Sequence, residues 1–243
     1  MERLSQITKI LSGEIRDRLY LQFLKKNNHT DVQIIQAIKK SIGPKNSILH
    51  GAAVWSNAIQ NAFTTNDTFL LDNQQWVGQS KFWNRFNATA SLGLIHAGNT
   101  KNALEILNPY FNGMAGEQAS PYMTAGAYFA YGLINQNQFS QDLVKYFQDG
   151  YRNSGQNEAV MHGVSLGLGL VSMATKDPEI FDTLKQTLYN NADSAIIGEA
   201  AAYGMGLVMI GANDSESMQE MLKHIEDQNH EKIIRGLSLS LAF

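Results

Sequence analysis

The sequence predicts an all-α protein, an α-solenoid or toroid arc of helix-turn-helix units, and three observations predict it. Two helix-length stretches, His162 to Val171 and Gly198 to Gly211, share an unusual glycine-rich composition and superimpose with a shift of 37 residues. Between them lies a helix of ordinary, amphipathic composition from Asp177 to Tyr189. The same alternation continues along most of the chain. A period of this length with two helices per unit is the mark of a helical repeat array.

The columns of the repeat can be followed from Ser47 onward. Aligned on Asn57, Gly93, Gly132, Gly169, Gly206 and Ala242, successive units differ by 36, 39, 37, 37 and 36 residues. Six residues earlier stand Gly51, Asn87, Gly126, Gly163, Ala200 and Gly236; two residues earlier stand Trp55, Ser91, Ala130, Gly167, Gly204 and Ser240. The first unit fits least well, because Trp55 occupies a small-residue column. We therefore read residues 1–46 as a helical lead-in and residues 47–243 as an arc of about five and a half repeats.

Each element has a local reason. In the lead-in, apolar residues at helical spacing predict helices over Ile7 to Leu24 and Asp31 to Lys40. Thr30 or Asp31 can cap the second, and Gly43-Pro44 ends it. The second helices of the units, Asn102 to Phe111, Gln141 to Gln148, Pro178 to Tyr189 and Glu216 to Glu226, are amphipathic. Asp177-Pro178 supplies a cap acid before a proline at the first helical position; Thr100, Ser140 and Ser215 are caps for the others. Phe63 to Phe82 and Asn112 to Pro121 read as insertions.

A glycine inside a helix costs about 1 kcal/mol relative to alanine, so the structural glycines Gly93, Gly132, Gly163, Gly167, Gly169, Gly204, Gly206 and Gly236 need an offsetting gain. Small residues two, four and six positions apart thin one side of a helix and let a neighbouring backbone approach. This predicts a crowded inner layer of glycine-rich helices beneath an outer layer of amphipathic ones.

At 243 residues, with 44% hydrophobic and 17% charged residues, the chain is long and apolar enough for a large core. A net charge of -3 gives no general attraction to nucleic acid or to an anionic membrane. The absence of cysteine excludes disulfides and thiolate metal sites. The uncharged run Ala200 to Ala212 is too short to span a bilayer, which takes about 20 residues, and Met1 to Gln6 lacks the apolar core of a signal peptide.

The pattern Gly163-x-x-x-Gly167-x-Gly169 lies inside a helix, not in the strand-to-helix turn that a dinucleotide fingerprint needs. His224 and His230, with Glu226, Asp227 and Glu231 nearby, lack the paired spacing of a metal helix and read as solvated or capping residues. A ring-shaped glycosidase would need two carboxylates facing one cavity, and the inner helices offer only Glu199. No catalytic residue, cofactor or metal is expected. Trp55, Trp76, Trp83, Phe63, Phe69, Phe82 and Phe86 cluster around the first insertion, where core filling is the default and a recognition surface the alternative.

The column seven residues before the aligned glycine reads His50, Phe86, Ala125, His162, Glu199 and Arg235. With equivalent helices side by side, Arg235 is long enough to reach Glu199, and His162 approaches from the other side. Glu199 would sit near the positive end of its own helix. This predicts a charge ladder of His162, Glu199 and Arg235 that fixes register; the alternative is three independently solvated residues. Ile234, Leu237, Leu239, Leu241 and Phe243 end the array without a polar cap, which predicts self-association or a partner.

As a set, Ile10-Leu11-Ser12-Gly13-Glu14, Leu21-Gln22-Phe23-Leu24, Ala88 to Gly93, Ser165 to Leu170, Gly198-Glu199-Ala200-Ala201 and His230 to Leu237 resemble proteasome/cyclosome repeats. That resemblance implies a toroid of two concentric helix layers and a non-catalytic scaffold in the base of the proteasome regulatory particle. It implies proteasome ATPase and lid subunits as partners, and a location in cytoplasm and nucleus. A second reading is a binding module for ubiquitin or ubiquitin-like domains, since a related proteasome ring subunit receives them. With too few repeats to close the family's ring, functions of the family's C-terminal tail are not expected of these residues.

Overall fold

The computed structural model describes residues 2–11, 14–43, 48–113 and 119–243. Among these, every regular element is helical. Helices α1 (Glu2–Leu11), α2 (Glu14–Lys26) and α3 (Val32–Ile42) come first. The region expected as one helix over 7–24 is thus described as two, on either side of residues 12–13, which lie outside the described residues together with Pro44 to Ser47. Asp31 caps α3 by accepting from the Gln33 N–H at 2.8 Å. The Gly43 N–H closes its other end on the Lys39 carbonyl.

Six helices then form one layer: α4 (Ile48–Gln60), α7 (Trp83–Ile95), α9 (Pro121–Ile134), α11 (Glu158–Val171), α13 (Ala195–Met209) and α15 (Glu231–Leu241). These are the glycine-bearing helices, and each packs on the next along the row. The second layer contains α8 (Ala103–Asn112), α10 (Gln141–Asn153), α12 (Pro178–Asn190) and α14 (Ser215–Asp227), each packed on the inner helix that follows it. Consecutive inner helices touch extensively, whereas consecutive outer helices have far less backbone contact. Units wider on the outside stack as wedges, so the row bends with the glycine layer on the inside.

The outer helices follow their caps. Asp177 accepts from the Glu179 and Ile180 N–H groups, with Pro178 in the first turn, and Ser140 accepts from the Leu143 N–H. Two expected caps are displaced. Asp214, one residue before Ser215, caps α14 by accepting from the Ser217 N–H. Thr100 opens a single 3₁₀ turn, Thr100–Asn102, ahead of α8 and caps nothing with its side chain.

The stretch Phe63 to Phe82 is not an irregular insertion. It holds two short helices, α5 (Thr68–Asp72) and α6 (Gln74–Gly78), which take the outer position of the first unit. Trp76, Phe69 and Leu70 are buried there. The Trp76 indole donates to the Gly43 carbonyl at 3.0 Å, and His50 from α4 makes a 3.2 Å contact with the Trp76 carbonyl. One aromatic residue therefore joins α3, α4 and the broken outer element. Of the second expected insertion, residues 114–118 lie outside the described residues.

The core is continuous between the layers. Leu107, Phe147, Leu184 and Leu188 from outer helices meet Ile134, Val164, Leu168, Met205 and Val208 from inner ones, all at most 2% exposed. At the end of the row, Ile233 and Leu237 are buried, while Leu239 and Phe243 are about half exposed. The apolar end expected there is therefore narrower than the sequence pattern suggested, since Leu237 packs inward.

A Cβ on Gly167 would stand 2.3 Å from the Phe147 ring, and one on Gly204 would stand 2.9 Å from Leu184. Gly167→Leu and Gly204→Leu are each expected to lower stability by more than about 2 kcal/mol, the range for overpacking a filled core. Gly78→Ala, where a Cβ meets nothing within 4 Å, should carry no such cost. Urea unfolding of the three variants against the parent checks this; midpoints that coincide would remove the inner-layer explanation of the glycines.

Candidate functional site

The feature that sets this molecule apart is the seam between inner helices. Two of the small-residue columns mesh with each other from unit to unit. A Cβ on Gly93 would lie 2.5 Å from the Ala130 Cα, one on Gly132 2.5 Å from the Gly167 Cα, and one on Gly169 2.6 Å from the Gly204 Cα. On Gly206 it would lie 2.6 Å from the Ser240 Cα. At these four positions the aligned residue thus lies on the residue two positions before the aligned one in the next unit. Real Cβ atoms do not approach backbone this closely, so the seam exists only because those atoms are absent.

A third column packs in the opposite direction. Cβ atoms on Gly126 and Gly163 would meet the carbonyl oxygens of Phe86 and Ala125 at 2.6 and 2.1 Å, and one on Gly236 would meet the Glu199 oxygen at 3.0 Å. Helices α9 and α11, with glycines in both columns, are therefore thinned on both flanks. Gly167 and Gly204 also admit Phe147 and Leu184 from the outer layer, which locks the two layers together.

Backbone hydrogen bonds repeat along the same seam. After α4, α7, α9 and α11 the chain turns through a left-handed residue whose N–H donates to the last turn of the next inner helix. Phe63 donates to the Leu94 carbonyl at 3.1 Å, Gly98 to Ile134 at 3.0 Å, Asn137 to Leu170 at 3.1 Å and Ala174 to Leu207 at 2.9 Å. Thr65 and Lys176 add second bonds, to Ile95 and Val208. These bonds satisfy carbonyls that a helix end otherwise leaves open. At Phe63, Thr65, Ala174 and Lys176 a side chain sits where glycine is usual, and the inter-unit bond compensates.

The three residues of the expected ladder are placed as follows. Arg235 pairs with Glu199: its Nε donates to the carboxylate at 3.1 Å, and its Nη2 donates to the same oxygen. The Tyr203 hydroxyl donates to that oxygen as well, at 3.3 Å. His162 is engaged elsewhere. Its Nδ1 donates to the Ile196 carbonyl at 2.9 Å, and its ring lies edge-on to Trp83 and Phe86 at 5.2 and 5.6 Å. Ala125, the small residue of the intervening helix, leaves room for that reach. Glu199 stands in the second turn of α13, beyond Ser194, which caps the helix; the helix dipole acts mainly within the first turn, so Arg235 is its principal partner.

Some contacts left no trace in the columns. The Tyr151 hydroxyl on α10 donates to the Ser165 Oγ on α11 at 2.9 Å, and burial pushes the Tyr151 pKa up to about 12. Lys185 on α12 bridges to Glu220 on α14 at 3.1 Å, tying two outer helices. The pairs are 14 and 35 residues apart in sequence, and for the first the only sequence signal was Ser165, a polar residue on a core-facing side. His224 lies against the Tyr189 ring at 4.8 Å, and His230 occupies the residue before α15.

Burial sets the protonation of three histidines. It lowers the pKa of His50, His162 and His224; for His162 the Ile196 hydrogen bond and Glu199 pull upward in part, and Lys232 adds to the lowering. A histidine whose folded pKa lies below its unfolded value, near 6.5, contributes full stability above that value. The contribution falls as pH drops from there through the folded pKa, because the unfolded chain binds the proton more readily. The unfolding free energy is therefore expected to fall between pH 6.5 and 5, and less steeply in a His50→Gln, His162→Gln variant. Parallel slopes for parent and variant over that window would show that these histidines do not carry the effect.

A family profile described as the Proteasome/cyclosome repeat matches residues 87–113, from within α7 through α8. The chain is 43% identical over 242 residues to 26S proteasome non-ATPase regulatory subunit 1 homolog A of Arabidopsis thaliana. It is 38% identical over 241 residues to the Drosophila melanogaster 26S proteasome non-ATPase regulatory subunit 1. It is 36% identical over 239 residues to the 26S proteasome regulatory subunit RPN2 of Saccharomyces cerevisiae. These alignments take in 96 to 99% of this chain but 23 to 25% of the relatives, so the chain spans about a quarter of their length. The second unit thus carries a match to the proteasome/cyclosome repeat, and the chain is similar along nearly all of its length to part of these regulatory subunits.

Proposed function

We propose that this chain serves as a non-catalytic scaffold in the base of the proteasome regulatory particle, holding ATPase and lid subunits in ubiquitin-dependent protein degradation. The observation that carries this reading is the alignment of nearly every residue with proteins named as non-ATPase regulatory subunits of the 26S proteasome. The physical character of the molecule supports it. Inner helices in backbone contact, bridged from unit to unit by hydrogen bonds, make a stiff frame, and a stiff frame presents its partners at fixed spacing. Residues 1–46 act in this reading as a lead-in to the arc of residues 47–243. The pair of Glu199 and Arg235 has a structural role in holding α13 and α15 in register. Its place of action is the cytoplasm and nucleus, where proteasomes work.

Affinity purification of the tagged chain from its own cells at natural expression, followed by mass spectrometry, tests the reading. Proteasomal ATPase and lid subunits are expected in the eluate. A chain recovered alone, or with unrelated complexes, would overturn the scaffold role for this product.

A further inference from the structure

The first unit departs from the others where its outer helix is replaced by α5 and α6, two helices of five residues each. Two short helices cannot fill the space of one long one, and a cavity of about 390 Å³ remains between them, α7 and α8. That volume is in the range of small-ligand sites. Leu70, Val77, Ala88, Leu92, Ile106 and Met123 supply apolar walls.

Charge enters the cavity in two places. Arg85 lines it and donates from Nη2 to the Gly78 carbonyl at 3.1 Å. Among the described residues no carboxylate forms an ion pair with this guanidinium, although five N–H donors are available to it. Asp67 also lines the cavity, but its carboxylate is engaged by His96 at 3.1 Å. Burial, with the nearby Asp67 charge adding to it, raises the pKa of the Tyr110 hydroxyl and keeps it a neutral donor. An apolar chamber with an unpaired guanidinium and an already engaged acid selects for a negative head group at Arg85 and an apolar body.

We propose that this cavity binds an apolar-bodied carboxylate, with the carboxylate on Arg85 and the body among Leu70, Val77, Leu92 and Ile106. Two sources share that chemistry: a free amphiphilic acid and the C-terminal residue of a peptide ending in a large apolar side chain. The repulsion from Asp67 orients either one, carboxylate toward Arg85. The site is independent of the scaffold reading, since it is lined from α5, α6, α7, α8 and Met123 of α9 and uses no proteasomal partner.

The test is titration of the ¹⁵N-labelled chain with octanoate, with N-acetyl-alanyl-leucine and with octanol as the uncharged control, following amide shifts of Val77, Gly78, Ala88 and Thr89. Saturable shifts with either acid support the proposal, and the acid that binds names the source. Arg85→Gln should weaken that acid by about tenfold or more, as expected for loss of a charge-assisted hydrogen bond, and leave octanol unchanged. Ala88→Phe, which fills the chamber, should abolish binding of all three. No saturable shift with either acid at millimolar concentration overturns the proposal. So does binding of acid and alcohol with equal affinity, or binding indifferent to Arg85→Gln in a variant whose spectrum is otherwise that of the parent.

Discussion

The whole molecule depends on backbone touching backbone between inner helices. Ordinary helix pairs interlock side chains, at axial separations of about 8–10 Å. Here the partner of a glycine is the Cα or carbonyl oxygen of the next helix, as at Gly132 on Gly167 and Gly163 on Ala125. The closeness has a cost in helix propensity, since α11 carries Gly163, Gly167 and Gly169, roughly 1 kcal/mol each. Dispersion across a seam without side-chain rotamers to freeze works in the opposite direction. The same seam brings the loop N–H groups of one unit within reach of the carbonyls of the next. Packing and hydrogen bonding thus specify one register together.

That geometry explains the division of labour between layers. Where an inner helix is thinned by glycine, large side chains of the outer helices fill the space and complete a core that Ile134, Val164, Leu168, Met205 and Val208 supply from the inner layer. Phe147 reaches over Gly167 and Leu184 over Gly204, both fully buried. The outer helices keep enough polar surface to face water and are spaced more widely. A narrow inner layer and a broad outer one bend the row, so curvature follows from composition.

What could be read in the sequence was whatever repeats. The glycine columns, the six inner helices and most outer helices are periodic, and periodicity survives without knowledge of contacts. What could not be read was set by one-off tertiary choices. Asp214 and Ser215 are both competent caps, and only the path of the loop selects Asp214. Ala174 and Lys176 adopt left-handed backbone with no glycine or asparagine to announce it, because the bond to the next helix compensates. His162 had a charged neighbour in its column and took the Ile196 carbonyl instead, since the aromatic rings of Trp83 and Phe86 leave it in a dry setting where a neutral donor is favoured.

The first unit shows how the repeat tolerates exceptions. Its second helix is broken into α5 and α6, yet the seam to α7 is kept by the Phe63 and Thr65 bonds to the Leu94 and Ile95 carbonyls. Local order in the broken part comes from Trp76, which is held between His50 and the Gly43 carbonyl. A continuous seam fixes the arc, and the outer position is free to vary as long as one large side chain anchors it. Variation there changes the surface and opens the chamber at Arg85, while the inner layer constrains its own residues almost atom by atom. Differences in what such arcs bind should therefore accumulate in the outer elements and the loops that follow them, and the inner glycines should stay fixed by geometry alone.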